Sequence, residues 1–440
     1  MTRARKNIAT VSLLSSLALF SGVAFAAAPP QGVTTLRFIA PSGGYGVAVG
    51  QVAALFNREN KHVQVKVLVE GSNQIDVTER LVATSSNPPD MLYWPVGPGY
   101  GEIRAARLGI LANLTPVYDK YHLFKILPSS TKGEEINGKM YNVNGWIGAQ
   151  PYVFYNATMF KKLHITPPTT SAQLIADAHK VRAAGYETIG LGSAHQWPAV
   201  HLMSILIQRE LPLGAYNKLK LSWDSKVSNP TKWTNPRVVA AFKTLQTWAK
   251  AGVFAPGFSS LTNAETTTLF ASGKALMQSI PLGAWTPKAI QSLIGHRFQV
   301  GIFQYPQLIS SIPTYQNVAL ANGEFSVPER SWKHNQAAIT QWIRFYLSVP
   351  AQKIFAANGF PPEITTGISK AYLTKQVGPL ATKVLGWIKK YGAEQNLDGW
   401  LAAQQKSLVA RGAEEIVAGT ATPLRICQQL QALTNKLRHP

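Results

Sequence analysis

A strand, a helix and a second strand follow one another in residues 35–69, and this order constrains the fold more than any other feature. Residues 35–40 and 62–69 have strand patterns, and the second alternates strictly with valine at positions 63, 65, 67 and 69. Between them Val49, Val52 and Phe56 lie on one helical face. This order favours a parallel sheet covered by helices, so the sequence predicts an α/β fold.

The first 26 residues are typical of an export signal. Arg3, Arg5 and Lys6 precede a largely apolar segment over residues 8–23, which is too short to span a bilayer. Residues 24–26, Ala-Phe-Ala, form a small-residue cleavage pattern, so we expect the mature chain to begin at Ala27. The only cysteine is Cys427, which leaves no lipid-anchoring cysteine after the signal and no internal disulfide. These features predict a soluble, monomeric, periplasmic protein.

The net charge of +22 arises from 43 Lys plus Arg against only 21 Asp plus Glu. The cations are scattered along the chain, and no recognition helix, zinc finger or aromatic RNA-binding signature accompanies them, which argues against a nucleic-acid partner. A scarcity of carboxylates suits acidic surroundings, because fewer native carboxylates must be protonated as the pH falls. We therefore expect stability to change little between about pH 7 and pH 4.

Residues 138–171 read GKMYNVNGWIGAQPYVFYNATMFKKLHITPPTTS. A buried strand is predicted over 151–156, and Thr170 and Gln173 form a capping box for the next helix. This segment resembles the lobe-crossing region of the extracellular solute-binding proteins that serve ABC importers, especially their carbohydrate-binding group. In that group a "GK-Y-V" strand precedes an aromatic "YN" strand, "lFkKl", "PPtT" and a helix.

Further motifs extend this resemblance over nearly the whole mature chain. They are PDMLYW at 89–94, GILANLT at 109–115, TNAETTTLFASGKALMQ at 262–278, VALANGEF at 318–325 and SVPAQKIFAANGFPP at 348–362. The resemblance implies two lobes, each a mainly parallel sheet flanked by helices, with ligand in the cleft between them. We expect lobe I to comprise residues 27–150 plus 322–360, and lobe II residues 151–321 plus 361–440.

Sugar sites combine flat aromatic rings with hydrogen-bonding side chains, because sugar rings have apolar faces and polar edges. The loop 41–46 comes after the first strand, at the end of the sheet where such folds bind ligands, and is expected to present Tyr45. Other candidates come after strands, stand in turns or lie at the predicted crossing, with core packing or a solvated loop as the alternative for each. The candidate ligand-binding residues are Tyr45, Asp90, Trp94, Trp146, His195, Trp197, Trp285, Asn322 and Glu324. Four tryptophans in helical patterns are expected to be structural, namely Trp233, Trp248, Trp332 and Trp342.

Catalytic signatures are missing from the sequence. It has no G-x-S-x-G elbow, no H-E-x-x-H helix and no Cys-His cluster, so we assign no catalytic residue, metal or cofactor. A glycosidase needs two carboxylates across a sugar, whereas the adjacent Glu134 and Glu135 would diverge and are expected to be solvated.

These patterns predict a binding protein that captures a carbohydrate or polyol by hinge closure and delivers it to a membrane permease. Two alternatives stay open at this point. A phosphorylated polyol such as glycerol 3-phosphate would suit the cationic surplus, and a secreted glycan-cleaving enzyme would bring together carboxylates that are distant in sequence.

Overall fold

The computed structural model describes eleven stretches of the chain, namely residues 32–71, 79–94, 101–127, 131, 134–149, 152–279, 287–312, 316–317, 319–322, 325–391 and 393–439. The expected signal segment lies outside them. Among the described residues, no helix combines the length and the apolarity that crossing a membrane requires.

The strands of the described chain form two larger sheets and two small ribbons. In chain order they are β1 Thr34–Pro41, β2 Val63–Glu70, β3 Met91–Tyr93, β4 Asn142–Val143, β5 Trp146–Ala149, β6 Tyr152–Asn156, β7 Glu187–Gly190, β8 Ala275–Ser279, β9 Val300–Gln304, β10 Gln316–Asn317, β11 Ala319–Asn322, β12 Phe325–Ser326 and β13 Ala393–Glu394.

Helices cover both sheets. In chain order they are α1 Gly44–Glu59, α2 Glu102–Arg107, α3 Thr115–Lys120, α4 Leu123–Ile126, α5 Ala157–Lys162, α6 Ser171–Ala183, α7 Trp197–Glu210, α8 Leu213–Lys220, α9 Pro236–Lys250, α10 Asn263–Ala271, α11 Pro287–Ile294, α12 Glu329–Tyr346, α13 Val349–Ala357, α14 Lys370–Tyr391, α15 Leu397–Trp400, α16 Ala403–Val417 and α17 Pro423–Arg438.

The first lobe is built on a sheet with the strand order β2-β1-β3-β12-β4. β1 pairs in parallel with β2 and β3, and α1 packs on this unit, so the predicted strand-helix-strand opening is confirmed. β12 instead runs antiparallel to both β3 and β4. A core beneath this sheet contains Phe38, Phe56 and the two tryptophans Trp332 and Trp342, which confirms the structural role expected of both indoles.

The second lobe is built on a sheet with the order β7-β8-β6-β9. β7 and β8 pair in parallel, whereas β6 is antiparallel to both β8 and β9. Each sheet is therefore mainly parallel, as expected from the sequence, with one strand running against the others: β12 in the first sheet and β6 in the second. Trp233 and Trp248 are fully buried in this lobe's core, as expected.

The chain passes between the two lobes along a ribbon in which β5 and β11 pair antiparallel, with Trp146 opposite Asn322. Helix α14 lies against both lobes: Val377 and Ala381 contact Ala356 of α13, while Val384 packs with Phe154 of the second sheet. The capping box predicted for α6 is present, because Thr170 and Gln173 bond each other's backbone N–H groups.

Candidate ligand-binding site

Tyr45 comes after the carboxyl end of β1 but is only 8% exposed. Its hydroxyl lies 2.9 Å from the hydroxyl of Tyr346, and its ring stacks on Phe355 with centroids 6.3 Å apart. Gly43 turns the chain with a φ of +95°, so α1 begins at Gly44 and Tyr45 falls on the inward face of its first turn. The expectation that this loop presents Tyr45 to ligand is therefore corrected: Tyr45 is a core residue.

Trp94 and Asp90 flank β3 and are both buried. Trp94 is 1% exposed and packs in a small cluster with Ile39, Leu92 and Leu111. The two carboxylate oxygens of Asp90 accept hydrogen bonds from the Arg37 backbone N–H at 2.8 Å and from the Asn335 side-chain amide at 2.7 Å. Asp90 thus ties β3 to β1 and α12, and both residues are built into the first lobe rather than presented to the cleft.

Trp146 begins β5, at the point where the chain leaves the first sheet. Its ring lies 4.7 Å from that of Phe360, and the indole Nε1 is buried with no hydrogen-bond partner among the described residues. Phe360 in turn lies against the loop after β1, because a Cβ added to Gly44 would come within 3.3 Å of the Phe360 ring. The backbone N–H of Ile147 donates to the carbonyl of Pro361 at 2.8 Å and fixes this arrangement.

We call Trp146 and Phe360 the hinge aromatic pair. Trp146 is a candidate from the sequence, whereas Phe360 was missed, although it falls inside the quoted segment 348–362. The signal that could have found it is the Gly359 turn, with a φ of +86°, and the two prolines after Phe360 that hold the aromatic in a fixed position. Both rings are buried, Trp146 at 7% and Phe360 at 5% exposed, and both belong to the core of the first lobe, where the indole N–H of Trp146 is a donor to spare among the described residues.

Trp197 in the second lobe is half-exposed at the first position of α7. Its ring meets the ring of His201 edge to face, with centroids 4.9 Å apart. Nε2 of His201 lies 3.0 Å from Nδ2 of Asn396 and 3.3 Å from Oδ2 of Asp398, so the C-terminal segment fixes the ring against which Trp197 rests. Trp197 is therefore an accessible aromatic on a rigid base.

His195 and Gln196 are exposed in the turn that leads into α7. Gln196 has a φ of +63° and a ψ of −48°, and the Trp197 N–H donates to the His195 carbonyl at 2.7 Å, which makes a strained γ-turn. Ser193 anchors the turn, because its hydroxyl donates to Glu414 at 3.0 Å. The turn leaves the side chain of His195 exposed and that of Trp197 partly exposed, and a role for either in ligand binding stays a prediction.

The remaining candidates lie at or beyond the edge of the described structure. Asn322 ends β11 opposite Trp146, so its backbone belongs to the ribbon between the lobes. Trp285 and Glu324 lie outside the described residues and stay predictions. Within the described ranges, no group of three or more His, Cys, Asp or Glu side chains is placed to hold a metal ion.

Glu134 corrects a further expectation, because it is not solvated but only 2% exposed. Its Oε2 accepts from the side-chain amides of Asn144 at 2.8 Å and Asn142 at 3.3 Å, and its Oε1 accepts from Nε2 of Gln395 at 3.4 Å. Burial raises the pKa of Glu134 from 4.5 to about 7, while the three amide bonds oppose this rise. Sequence reasoning missed this cluster because Gln395 is far from Glu134 along the chain.

The described chain thus forms two α/β lobes joined by a paired ribbon, the architecture of a protein that can close around a ligand. The sequence matches the bacterial extracellular solute-binding protein family over residues 51–406, and the chain belongs to this family. Membership of an extracellular family implies an exported protein.

One curated relative is the diacetylchitobiose binding protein of Streptomyces coelicolor, which is 24% identical over 317 residues. The match covers 69% of this chain and 63% of that relative's length. Among solved structures, a chitin oligosaccharide binding protein has a TM-score of 0.77 at 19% identity, over 92% of this chain and 99% of the other. A maltose-bound protein of T. maritima has a TM-score of 0.72 at 15% identity, over 92% and 100%. These structures confirm the fold, and the relatives are solute-binding proteins rather than enzymes.

Proposed function

We propose that this protein is the substrate-binding component of an ABC importer and that it captures a carbohydrate or a related polyol. The observation that carries the proposal is the hinge aromatic pair, in which a buried indole N–H of Trp146 has no partner among the described residues and lies beside the apolar ring of Phe360. An apolar ring face next to a spare donor matches the apolar face and polar edge of a sugar.

The accessible Trp197 supplies a second aromatic surface, on the other lobe. The relatives support the same ligand class, since they are named for diacetylchitobiose, chitin oligosaccharide and maltose, all of which are carbohydrates. A ligand held between Trp146 and Trp197 would contact both lobes, and the proposal therefore includes hinge closure as the mechanism.

Closure requires lobes that rotate as rigid bodies about a few residues. In the proposal lobe I consists of residues 27–150 and 322–360, and lobe II of residues 151–321 and 361–440. The β5–β11 ribbon supports a hinge near residues 150 and 320–322, because both passages of the chain lie side by side there. Bound sugar stabilises the closed form only by its differential affinity for closed over open.

The finer statements about location and partners belong to the same proposal. Cleavage after Ala26 would release a soluble, monomeric protein into the periplasm, where the closed form would dock on a permease in the inner membrane. Asn322, Glu324 and Trp285 complete the proposed ligand set together with Trp146, His195 and Trp197.

A thermal-shift screen of the mature protein tests the ligand class. Chito-, malto- and xylo-oligosaccharides, galactose and glycerol 3-phosphate are each added at saturating concentration, and hydrolysis is followed in parallel. A sugar present at a hundred times its Kd should stabilise the fold by about 2.7 kcal/mol without being cleaved. Stabilisation by glycerol 3-phosphate alone, or release of cleaved sugar, would overturn the proposal.

A further inference from the structure

The side chain of Glu134 is enclosed by hydrogen-bond donors that carry no charge. The three groups that donate to it are the primary amides of Asn142, Asn144 and Gln395. A buried carboxylate is normally paired with a cation, because moving an unpaired charge out of water is costly. Three neutral amide donors hold the ionised form less firmly than a cation would, so the side chain can change its protonation state inside the fold.

Glu134 also connects the two lobes. Asn142 and Asn144 belong to the first lobe, in and just after β4, and the chain reaches Trp146 two residues later. Gln395 belongs to the second lobe, because the Tyr216 hydroxyl donates to its backbone carbonyl at 3.0 Å. The indole N–H of Trp400 donates to the Gln395 side-chain oxygen at 2.9 Å, which leaves the Gln395 amide nitrogen directed at Glu134.

Other titratable groups lie farther from Glu134 than these three amides. Tyr118 of α3 donates its hydroxyl to the Asn142 carbonyl at 2.9 Å, and burial together with the charges of Glu363 and Glu134 raises its pKa. Glu363 accepts from the Thr131 hydroxyl at 3.0 Å. Next to Gln395, Glu394 is paired with Lys220 at 2.5 Å. The nearby acids Glu363 and Glu394 disfavour a negative charge on Glu134. Lys220 does not offset this effect, because it is already ion-paired with Glu394.

Hydrogen-bond complementarity changes when Glu134 gains a proton. An ionised carboxylate only accepts, which suits three donors, whereas a protonated one carries a donor of its own. A proton on Oε1 would face the amide nitrogen of Gln395, so two donors would oppose each other. A proton on Oε2 could be accepted by Oδ1 of Asn142, a buried acceptor with no partner among the described residues; Oε1 would then accept from Gln395 without the negative charge that strengthens this bond.

We propose that Glu134 is a positioning residue that, when ionised, ties the Asn142–Asn144 segment leading to Trp146 to Gln395 of the second lobe, and that protonation weakens this tie. The effect of Glu134 on ligand binding rests on the proposed function, in which Trp146 contacts the sugar. The change in the interlobe contact itself does not depend on that function. Since burial raises the pKa of Glu134 to about 7, the two states exchange near neutral pH.

The test uses the ligand-free mature protein, so that it is independent of the sugar. The indole ¹⁵N–H resonance of Trp400, assigned with Trp400→Phe, is followed from pH 5.5 to pH 8.5. We expect a single titration with a midpoint near 7, transmitted through Gln395, and a flat profile in Glu134→Gln. Glu135→Gln, an adjacent change of the same chemistry, is the matched control and should titrate like the wild type. A flat wild-type profile, or an unchanged titration in Glu134→Gln, would overturn the proposal.

A second variant covers the case in which Glu134→Gln does not fold. Gln395→Met removes the amide that reaches Glu134 and keeps the side-chain length. In the wild type, hydrogen exchange of residues 393–400, corrected for intrinsic rates, should be about three- to tenfold slower at pH 8 than at pH 5.5, the range that one modest hydrogen bond provides. In Gln395→Met the difference should vanish, and its persistence would contradict the proposal.

A pH profile of sugar affinity then links this contact to the ligand. With a sugar identified by the thermal-shift screen, wild-type affinity should fall by about three- to tenfold between pH 8 and pH 5.5, and Glu134→Gln should remove this dependence. If the Trp400 indole titrates but sugar affinity does not depend on pH, the Glu134–Gln395 contact responds to protonation without affecting the ligand site. That result would overturn only the positioning role of Glu134. Absence of any sugar ligand would overturn the proposed function and leave the indole result intact.

Discussion

In the first lobe the aromatic residues at the ends of strands are folded into the protein, whereas in the second lobe Trp197 stands half-exposed at the start of α7. Tyr45, Trp94 and Trp146 all belong to first-lobe cores, and the Trp146 indole keeps an unused donor among the described residues. For Tyr45 and Trp197 the difference arises from the backbone between the strand and the helix that follows it. A helix that begins at once, as α1 does after β1, turns its first aromatic inward, whereas the strained turn at Gln196 leaves Trp197 accessible.

A position at the end of a strand therefore does not decide between ligand contact and core packing. For Tyr45 and Trp197 the local backbone after the strand decides it. Trp146, with its unused donor, and Trp197 are the proposed sugar contacts among the described aromatics, and the burial of Trp94 favours core packing.

The largest expected effect is on the free energy of unfolding, and it distinguishes core aromatics from proposed sugar contacts. Trp94→Ala removes a nearly fully buried indole from its cluster and should lower the free energy of unfolding by about 3–5 kcal/mol. Trp197→Ala, the matched control, should lower it by less than Trp94→Ala does, because the Trp197 ring is only partly buried. Urea denaturation followed by circular dichroism measures both. A stable Trp94→Ala variant with weakened sugar binding would restore Trp94 to the site.

The pH dependence of stability is the next largest effect. The pKa of Glu134 is raised from 4.5 to about 7 in the folded state, which corresponds to roughly 3 kcal/mol. Because the folded pKa is the higher one, this contribution is fully present below about pH 4.5 and is lost as the pH rises through 7. Burial also raises the pKa values of Asp177, Glu210 and Glu414, so these groups act in the same direction.

Stability should therefore rise as the pH falls from 7 to 4.5, which departs from the small change expected from the scarcity of carboxylates. Urea midpoints measured across this range test it, with Glu134→Gln predicted to flatten the profile and Glu135→Gln predicted to leave it unchanged. A steep loss of stability towards pH 4.5 in the wild type would contradict this prediction.

Ligand affinity should respond to the exposed aromatic. Trp197→Ala should weaken sugar binding by about ten- to hundredfold, or ~1–3 kcal/mol, because a stacking surface is lost. Trp285→Ala is predicted from the sequence to have an effect of the same size. Calorimetry with the sugar from the screen measures both, and Trp248→Phe in the second core provides a control that should bind normally. Unchanged affinity in Trp197→Ala would remove the second lobe's aromatic from the site.

A smaller effect is expected where the loop after β1 approaches Phe360. A Cβ at Gly44 would lie 3.3 Å from the Phe360 ring, so Gly44→Ala should shift that ring by a few tenths of an ångström. We expect an affinity loss of about two- to fivefold, with less than about 1 kcal/mol of stability lost. Gly50→Ala on the same helix meets no atom within 4 Å and is the control. Equal behaviour of the two variants would show that Phe360 does not contact the ligand.

The sequence predicted those features that depend on neighbouring residues. The opening strands, the helix cap formed by Thr170 and Gln173, and the helical tryptophans such as Trp342 all derive from local patterns, and each is confirmed. The family was predicted as well, because each of its motifs is a short local pattern that can be read directly from the sequence.

Features that depend on contacts between distant residues could not be predicted. Burial of Tyr45 depends on Tyr346 and Phe355, about three hundred positions away, and burial of Glu134 depends on Gln395. The reversed direction of β6 within the second sheet depends on its pairing with β8 and β9, which no periodicity reveals. In each case the deciding partner lies on another element, and for Glu134 it lies on the other lobe.

The measurement that tests the central claim most directly is small-angle X-ray scattering of the mature protein with and without the sugar found in the screen. If two lobes close around a ligand held by Trp146 and Trp197, the radius of gyration should decrease on saturation, and Trp197→Ala should require more sugar to reach the same value. A tightly bound, saturating sugar that leaves the radius of gyration unchanged would contradict capture by hinge closure.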